Sequence, residues 1–386
     1  MGNVKEKGNG QGTLYKNSKT GLYIGQYVTN GKRHSVYQKK NEKISDFKKR
    51  FNNILSSINL GTYIEKSNET FISILEKHVE QKHDDGTTSD TGYLRDLYSI
   101  NLIKTTCDNF INKPIQKITA DDIEKSKKAI RQYAQTSIDK AWRLLNKTFK
   151  LSVARRKIPF NPMDDENLTK PISAKATKKV DALTIQEEKK LREILNTVEF
   201  NHKYRNIVLL QLDTGMRIGE VLARSVNDID INKNTLHIHN TLTKNIQGKT
   251  ILGKHTKTYN KKTHIDNGER TISMNNEVKQ IVLQQINQKI TNMHHLLFWD
   301  YSSNTFITHY EINAWLKRIN QKYKIVSSNL STHNLRHTYI TRLREAGVDM
   351  KIIQYLVGHV EGSSITDNVY TSISKEFIEN ELKKIK

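Results

Sequence analysis

Between Thr332 and Thr341 the chain reads THNLRHTYIT, with His333, Arg336 and His337 inside five residues. Ser331 or Thr332 can cap a helix running from about His333 to Glu345, and Gly347 ends it. On that helix His333 lies three residues from Arg336 and four from His337, so the three share one face. Arg336 carries a rigid fork of donors suited to two phosphate oxygens. The free backbone amides of a helix N-terminus favour an anion at the same place. A metal reading uses His333 and His337 at i, i+4, but the glutamate of the zinc-protease helix is missing and Arg336 would put positive charge beside a cation. A third reading makes the histidines packing residues. The remainder of the chain has to choose between them.

The totals favour a polyanion. The 386 residues suffice for two or three domains. Lys and Arg number 63 against 40 Asp and Glu, a net charge of +23. Such an excess says little about fold and much about partners, of which nucleic acid is the commonest. Cys107 is the only cysteine, so an intrachain disulfide and a cysteine-based zinc site are excluded. This fits a reducing cytoplasm. The opening MGNVKEKGNGQG has no apolar signal core, and Glu6 stands where a myristoylation motif needs Ser or Thr. No apolar run approaches the roughly 18 residues of a membrane span, so no membrane association is expected.

The expected fold is multidomain, mainly α with small β-sheets. Residues 1–64 read as a three-stranded antiparallel sheet plus a helix. Short aromatic and β-branched runs are separated by Thr20-Gly21 and Asn30-Gly31, the second a strong hairpin signal. Phe47, Phe51, Leu55 and Ile58 follow at helical spacing, with Ser45 as the expected N-cap. The strands interleave Tyr15, Tyr23, Tyr27 and Tyr37 with Lys16, Lys32, Arg33 and His34, a mixture that suits nucleic acid. Of these, Lys16, Tyr23, Tyr27, Lys32 and Arg33 are the candidate DNA contacts. Alternate tyrosines also serve as the core of so small a unit. Residues 65–168 read as helical, with a capping box at Thr119 and Asp122. Proline and small polar residues around Pro159, Pro162 and Pro171 mark a boundary. Residues 175–386 read as a mixed α/β domain. It starts with a helix capped by Thr184. The stretches NTLHIHNTLTK and KTILGKHTKT are strand-like about a turn at 245–248, RTISM is a further strand, and helices resume from EVKQIVLQQINQKI.

Two other stretches carry chemistry-bearing residues. In LDTGMRIGEVLAR the helix breaks at Gly215 and restarts, with Arg217 and Glu220 three residues apart. Alone this is an ordinary helix pair. In LVGHVEGSSITDNVY, Gly358 ends a helix, His359 follows at once, and Tyr370 comes after a polar loop. Tyr339 and Tyr355, in contrast, sit inside helical apolar patterns and read as core.

Taken in order, these stretches resemble the tyrosine recombinases, the integrases of temperate phages and conjugative transposons. The family's series Arg…Lys…His-x-x-Arg…His…Tyr appears as TGMRIGE (Arg217), HTKT (Lys257), THNLRH (His333 and Arg336), LVGH (His359) and DNVY (Tyr370). The N-terminal unit looks like the family's arm-site-binding domain, the helical middle like its core-site-binding domain, and the rest like its catalytic domain with a tail helix. The stretch YNKKTHIDNGE makes the connection from Thr258 to Arg270 longer than is usual, so Lys254, Lys261 and Lys262 compete with Lys257. The gap from His359 to Tyr370 is also slightly long, and no histidine closely follows Tyr370.

The resemblance implies site-specific integration and excision of a mobile element. Tyr370 would attack a DNA phosphate and form a 3′-phosphotyrosyl bond, conserving the bond energy without ATP. Arg217 and Arg336 would hold the non-bridging oxygens, and His359 would hydrogen-bond the same phosphate. Lys257 would protonate the departing 5′-oxygen, and His333 would assist proton transfer at the tyrosine. Glu220 would orient the arginines. No metal or other cofactor is implied. The implied partners are double-stranded DNA at core-type and arm-type sites, further copies of the chain in a DNA-bound tetramer, an accessory directionality factor and a host DNA-bending protein. The implied location is the cytoplasm of a bacterial host, at the nucleoid. The tail SKEFIENELKKIK, with Phe377, Ile378 and Leu382, would pack on a neighbouring subunit or on its own domain.

Two alternatives share the charge. LREAGVDMKIIQYLVGH looks like a helix-turn-helix, as in a DNA-binding regulator without catalysis. A type IB topoisomerase-like strand transferase would use the same chemistry. A regulator has no reason to carry the ordered Arg, Lys, His, Arg, His, Tyr set, and the arm-type N-terminal unit favours an integrase. A metal-dependent transposase would need clustered carboxylates, and no such trio stands out in the last domain.

Overall fold

The computed structural model describes residues 6–7, 12–29, 31–176, 181–197, 203–260, 263–288 and 292–358. The chain divides into two compact units, residues 1–88 with 95–176 and residues 89–94 with 177–386.

The first unit opens with an antiparallel sheet of β1 (Glu6–Lys7), β2 (Thr13–Lys16), β3 (Tyr23–Thr29) and β4 (Lys32–Tyr37), in that spatial order. The three expected strands are β2 to β4. β1 is a short addition whose two residues carry no alternation to read. Helix α1 (Ile44–Asn59) lays Phe51 against Gly25 of β3, where a Cβ would come within 2.5 Å of the ring. Cross-strand partners share a face, so Leu14, Gly25 and Val36 line the helix side together with Tyr23 and Tyr27. α1 begins two residues earlier than expected. Lys43 is its N-cap, without a side-chain bond, and Ser45 lies inside the helix. Burial of Phe47 and Phe51, rather than a cap, sets where it starts.

The helical part contains α2 (Phe71–Asp84), α3 (Asp90–Thr106), the short α4 (Asp108–Ile111), α5 (Ala120–Ile130) and α6 (Gln135–Ala154). The capping box at Thr119 and Asp122 is present, with each side chain bonded to the other's backbone amide. Phe71 packs on Phe149 and Phe110 at ring separations of 4.7 and 5.7 Å, at the centre of the core.

Residues 89–94 aside, the second unit begins with α7 (Ile185–Asn196), capped by Thr184 and Glu187, and α8 (Arg205–Thr214), followed by the single-turn α9 (Ile218–Leu222). Next come β5 (Ile229–Asp230), β6 (Thr235–Ile238), β7 (Leu242–Lys244), β8 (Thr250–Leu252), β9 (Tyr259–Asn260), β10 (Ile265–Asp266) and β11 (Arg270–Ser273). They form a three-stranded sheet in the order β11–β6–β5 and two hairpins, β7–β8 and β9–β10. The expected single strand NTLHIHNTLTK is two strands in different sheets. Arg224 explains the break: its guanidinium bonds the carbonyls of His237 and Asn240 and the Asn240 side chain, turning the backbone between β6 and β7. The expected strand KTILGKHTKT ends at Leu252, because Thr256 is drawn into a turn by Asp266.

Helices α10 (Asn276–Asn287), α11 (His309–Tyr323), α12 (Thr332–Glu345) and α13 (Met350–Val357) complete the described fold. Ser331, not Thr332, is the N-cap of α12, and its backbone amide and hydroxyl both donate to Asn334 Oδ1. The core joins Leu209, Leu210 and Leu212 of α8, Leu236 and Ile272 of the sheet, and Leu335, Tyr339 and Leu356 of the last two helices. Among the described residues, no helix is long and apolar enough to cross a membrane.

Candidate active site

The site forms where α8 gives way to α9. Gly215 closes α8 in the left-handed region at φ 61°, a conformation that costs little only without a Cβ. A Cβ there would also run into the Tyr339 ring of α12. The glycine therefore does two things at once: it turns the chain so that Arg217 leads into α9, and it lets α12 approach.

Arg217 and Glu220 are not a solvated pair. Glu220 is wholly buried, and its carboxylate accepts from the Arg217 Nη1 at 3.0 Å, from the Arg217 backbone amide at 3.0 Å and from Arg270 Nη2 at 2.8 Å. Burial alone would raise its pKa. The charges of Arg270, Arg217 and Arg336 outweigh this and hold it below the usual glutamate value. Arg336, on the buried face of α12, donates to Gly215 O at 2.8 Å and to Val357 O at 2.7 Å. Burial, with Arg217 next to it, pushes the pKa of Arg336 down to about 9, which leaves it charged at neutral pH. Three guanidiniums, those of Arg217, Arg270 and Arg336, thus gather about one carboxylate. Arg224 lies outside this set, paired with Asp228 at 3.2 Å. Among the described residues the cluster holds two positive charges in excess, in surroundings that exclude most water. Such a place attracts an anion with several acceptor oxygens.

His333 lies one turn from Arg336 at the start of α12. It keeps contact with solvent, but neighbouring protein displaces water from its ring. This desolvation comes first, and the charges of Lys257, His337 and Arg336 add to it, so the imidazole pKa falls below its ordinary value. Lys257 is thus the first of the charges felt by His333. It sits in the turn between β8 and β9, which Asp266 holds: its carboxylate accepts from Thr256 N at 2.7 Å and from Thr256 Oγ1 at 2.5 Å. Lys254 is exposed in the same connection, and Lys261 and Lys262 lie outside the described residues. So do His359 and Tyr370, the last described residue being Gly358. His337 is exposed, with no hydrogen-bonded role in the cluster.

Sequence reasoning missed Arg270. The signal was its place in RTISM, where Arg270, Ile272 and Met274 alternate inward. An arginine at an inward strand position requires a buried acceptor, and Glu220 was the available carboxylate. His309 is the first residue of α11. Burial lowers its pKa, followed by the charges of Lys244 and His333.

In the N-terminal sheet the five candidate DNA contacts separate. Tyr27 is buried, stacked on His34 at 5.3 Å and hydrogen-bonded to the Tyr63 hydroxyl at 2.5 Å, so it is a core residue. Tyr23 is partly buried on the same side. Lys16, Lys32 and Arg33 are exposed. Arg33 falls by register on the face away from α1, which also carries Tyr15 and Tyr37.

The phage integrase family model matches residues 181–376. Among curated proteins, a probable integrase of prophage ps2 from Lactococcus lactis subsp. lactis (strain IL1403) is 25% identical over 315 residues, covering 80% of this chain and 78% of the relative. The transposase of transposon Tn916 from Enterococcus faecalis is 25% identical over 264 residues, 66% of this chain and 62% of the transposase. Among solved structures, the integrase of transposon Tn1549 in complex with a circular intermediate DNA superposes with a TM-score of 0.63 at 21% identity, covering 82% of this chain and 99% of that one. A lambda integrase tetramer bound to a Holliday junction gives a TM-score of 0.54 at 16% identity, covering 91% and 96%. These two likenesses are of fold.

Proposed function

The chain belongs to the phage integrase family of tyrosine recombinases, and we propose that it cleaves and rejoins DNA through a 3′-phosphotyrosyl intermediate to integrate and excise a mobile element. The observation that carries this reading is the excess charge of the arginine cluster. A phosphodiester carries one negative charge, and the phosphorane formed by attack on it carries two. The two guanidinium charges in excess among the described residues favour the second over the first, which is the condition for catalysis rather than mere binding.

The roles follow. The Tyr370 hydroxyl attacks phosphorus, and its proton passes to His333, which is neutral near pH 7. Arg217 and Arg336 hold the non-bridging oxygens, and His359 donates a further hydrogen bond. As the new O–P bond forms, the bond from phosphorus to the 5′-oxygen breaks, and Lys257 protonates that oxygen. The influence of Lys257 on His333 supports the choice of this lysine. Charge stabilisation comes from fixed side chains and energy is kept in the phosphotyrosyl bond, so neither metal nor ATP is required. Residues 1–64 are assigned to arm-type DNA sites, 65–168 to core-type sites and 175–386 to catalysis. Assembly as a tetramer on DNA, with a directionality factor and a host DNA-bending protein, completes the reading.

The test is a suicide duplex carrying a nick near the cleavage point, incubated with purified protein in EDTA. A covalent protein–DNA adduct on a denaturing gel is expected. A band retarded on a native gel with no covalent adduct would instead indicate a helix-turn-helix regulator, and an adduct abolished by EDTA would refute the metal-free mechanism. The pH dependence gives a second check. His333 accepts a proton only when neutral, and its pKa is lowered, so cleavage should stay high below neutrality. It should fall only as the pH drops beneath the ordinary imidazole value of about 6.5. His333→Asn should remove that acidic limb, and a profile unchanged by the substitution would assign the limb to another group.

A further inference from the structure

Arg270 belongs to none of the positions in the recombinase series. Among the described residues it is nevertheless the most enclosed cation of the site, with its side chain 1% exposed. Each edge of its guanidinium meets a different part of the fold. Nη2 donates to Glu220 Oε2 at 2.8 Å, Nη1 to Gly268 O at 2.7 Å, and Nε to Leu356 O at 2.7 Å. Glu220 in turn holds Arg217. Gly268 lies two residues after Asp266, and Asp266 accepts from the Gly268 amide at 3.1 Å while fixing Thr256, the residue before Lys257. Leu356 lies in the last turn of α13, two residues before Gly358. A Cβ on Gly358 would come within 2.5 Å of Arg270 Nη1, and its φ of 61° is also unfavourable for other residues.

We propose that Arg270 is a positioning residue that sets the phosphate-holding Arg217, the turn carrying Lys257 and the end of α13 in one fixed relation. This rests on the recombinase reading above. Its enclosure and its three bonds keep Arg270 from the substrate, so it acts through others. The geometry has a reason in charge as well as in shape. The carbonyls at the C-terminal end of a helix carry partial negative charge, which suits a guanidinium. Glu220 supplies the full negative charge that lets Arg270 remain buried. Gly358 leaves room for the guanidinium to lie against the backbone just before His359. One planar group thus registers three elements that are far apart in sequence, at residues 220, 268 and 356.

The experiment compares full-length wild type, Arg270→Lys and Gly358→Ala on the suicide duplex. Gel-shift affinity, thermal melting and the single-turnover cleavage rate are measured for each. Lysine keeps the charge beside Glu220 but cannot span all three acceptors. Cleavage is expected to fall about 10²-fold, the scale of a catalytic group displaced by about an ångström. DNA affinity should stay within about threefold, because many surface cations determine it. Gly358→Ala should show the same split, which carries the test if Arg270→Lys fails to fold. A substrate with sulfur in place of the bridging 5′-oxygen adds a further readout, since a thiolate leaves without a proton. Sulfur should restore Lys257→Ala but not Arg270→Lys, whose defect includes Arg217. Wild-type cleavage in Arg270→Lys, or loss of affinity, melting and cleavage in parallel, would overturn the proposal. Full rescue by sulfur would also overturn it, reducing Arg270 to a support for the lysine. No adduct from the wild type would overturn the recombinase reading, and this one with it. Adduct from the wild type with normal variants would overturn this one alone.

Discussion

Tyr370→Phe should leave no covalent protein–DNA adduct while DNA binding is retained. Phenylalanine keeps the ring and removes the one oxygen that can form the O–P bond, so the expected loss is to background rather than to a fraction. Water offers no comparable replacement, because it would give a hydrolysed end and not a bond to protein. The measurement uses end-labelled suicide duplex, denaturing electrophoresis and, in parallel, native gel shift. A labelled adduct that survives in the phenylalanine variant would move the nucleophile to another tyrosine. The assignment stands on the motif order, with Tyr370 following His359 at the end of the series. Tyr339 and Tyr355 are poor substitutes: Tyr339 is buried against Gly215, and Tyr355 packs on the core.

Arg336→Ala should lower the single-turnover cleavage rate by about 10²–10³-fold, the usual cost of removing one preorganised donor to developing charge. The substitution also leaves Gly215 O and Val357 O without their donor, so the clamp loses a wall as well as a charge. Arg336→Lys should recover little, because an ammonium cannot reach both carbonyls and still offer a fork to phosphate. Affinity for DNA should change far less, since surface lysines and arginines dominate it. A proportional fall in affinity and rate would make Arg336 a binding residue only.

Local signals were legible in the sequence wherever the physics is local. The box at Thr119 and Asp122, the cap at Thr184, the glycine stops at 215 and 358, and the turn at 245–248 are all decided within a few residues. The helix carrying His333 and Arg336 was equally plain. What could not be read depends on partners distant in the chain. Arg224 breaks the apparent strand after Ile238 from fourteen residues upstream of it, counting 224 to 238. Arg270 finds Glu220 across fifty positions. The face of the N-terminal sheet covered by α1 follows from register, which alternating tyrosines leave ambiguous by one residue. His359 and Tyr370 still rest on the motif order.

The β9–β10 hairpin gives the unusual connection after Lys257 a different meaning. Its strands pair Tyr259 with Asp266 and Asn260 with Ile265, and Asp266 closes its base onto Thr256. The chain leaves the site and returns through the same narrow gate. Length added between those strands is spent outside the gate and does not alter the spacing between Lys257 and Arg270. Counting residues from the lysine to the arginine strand measures an appendage, not the active site.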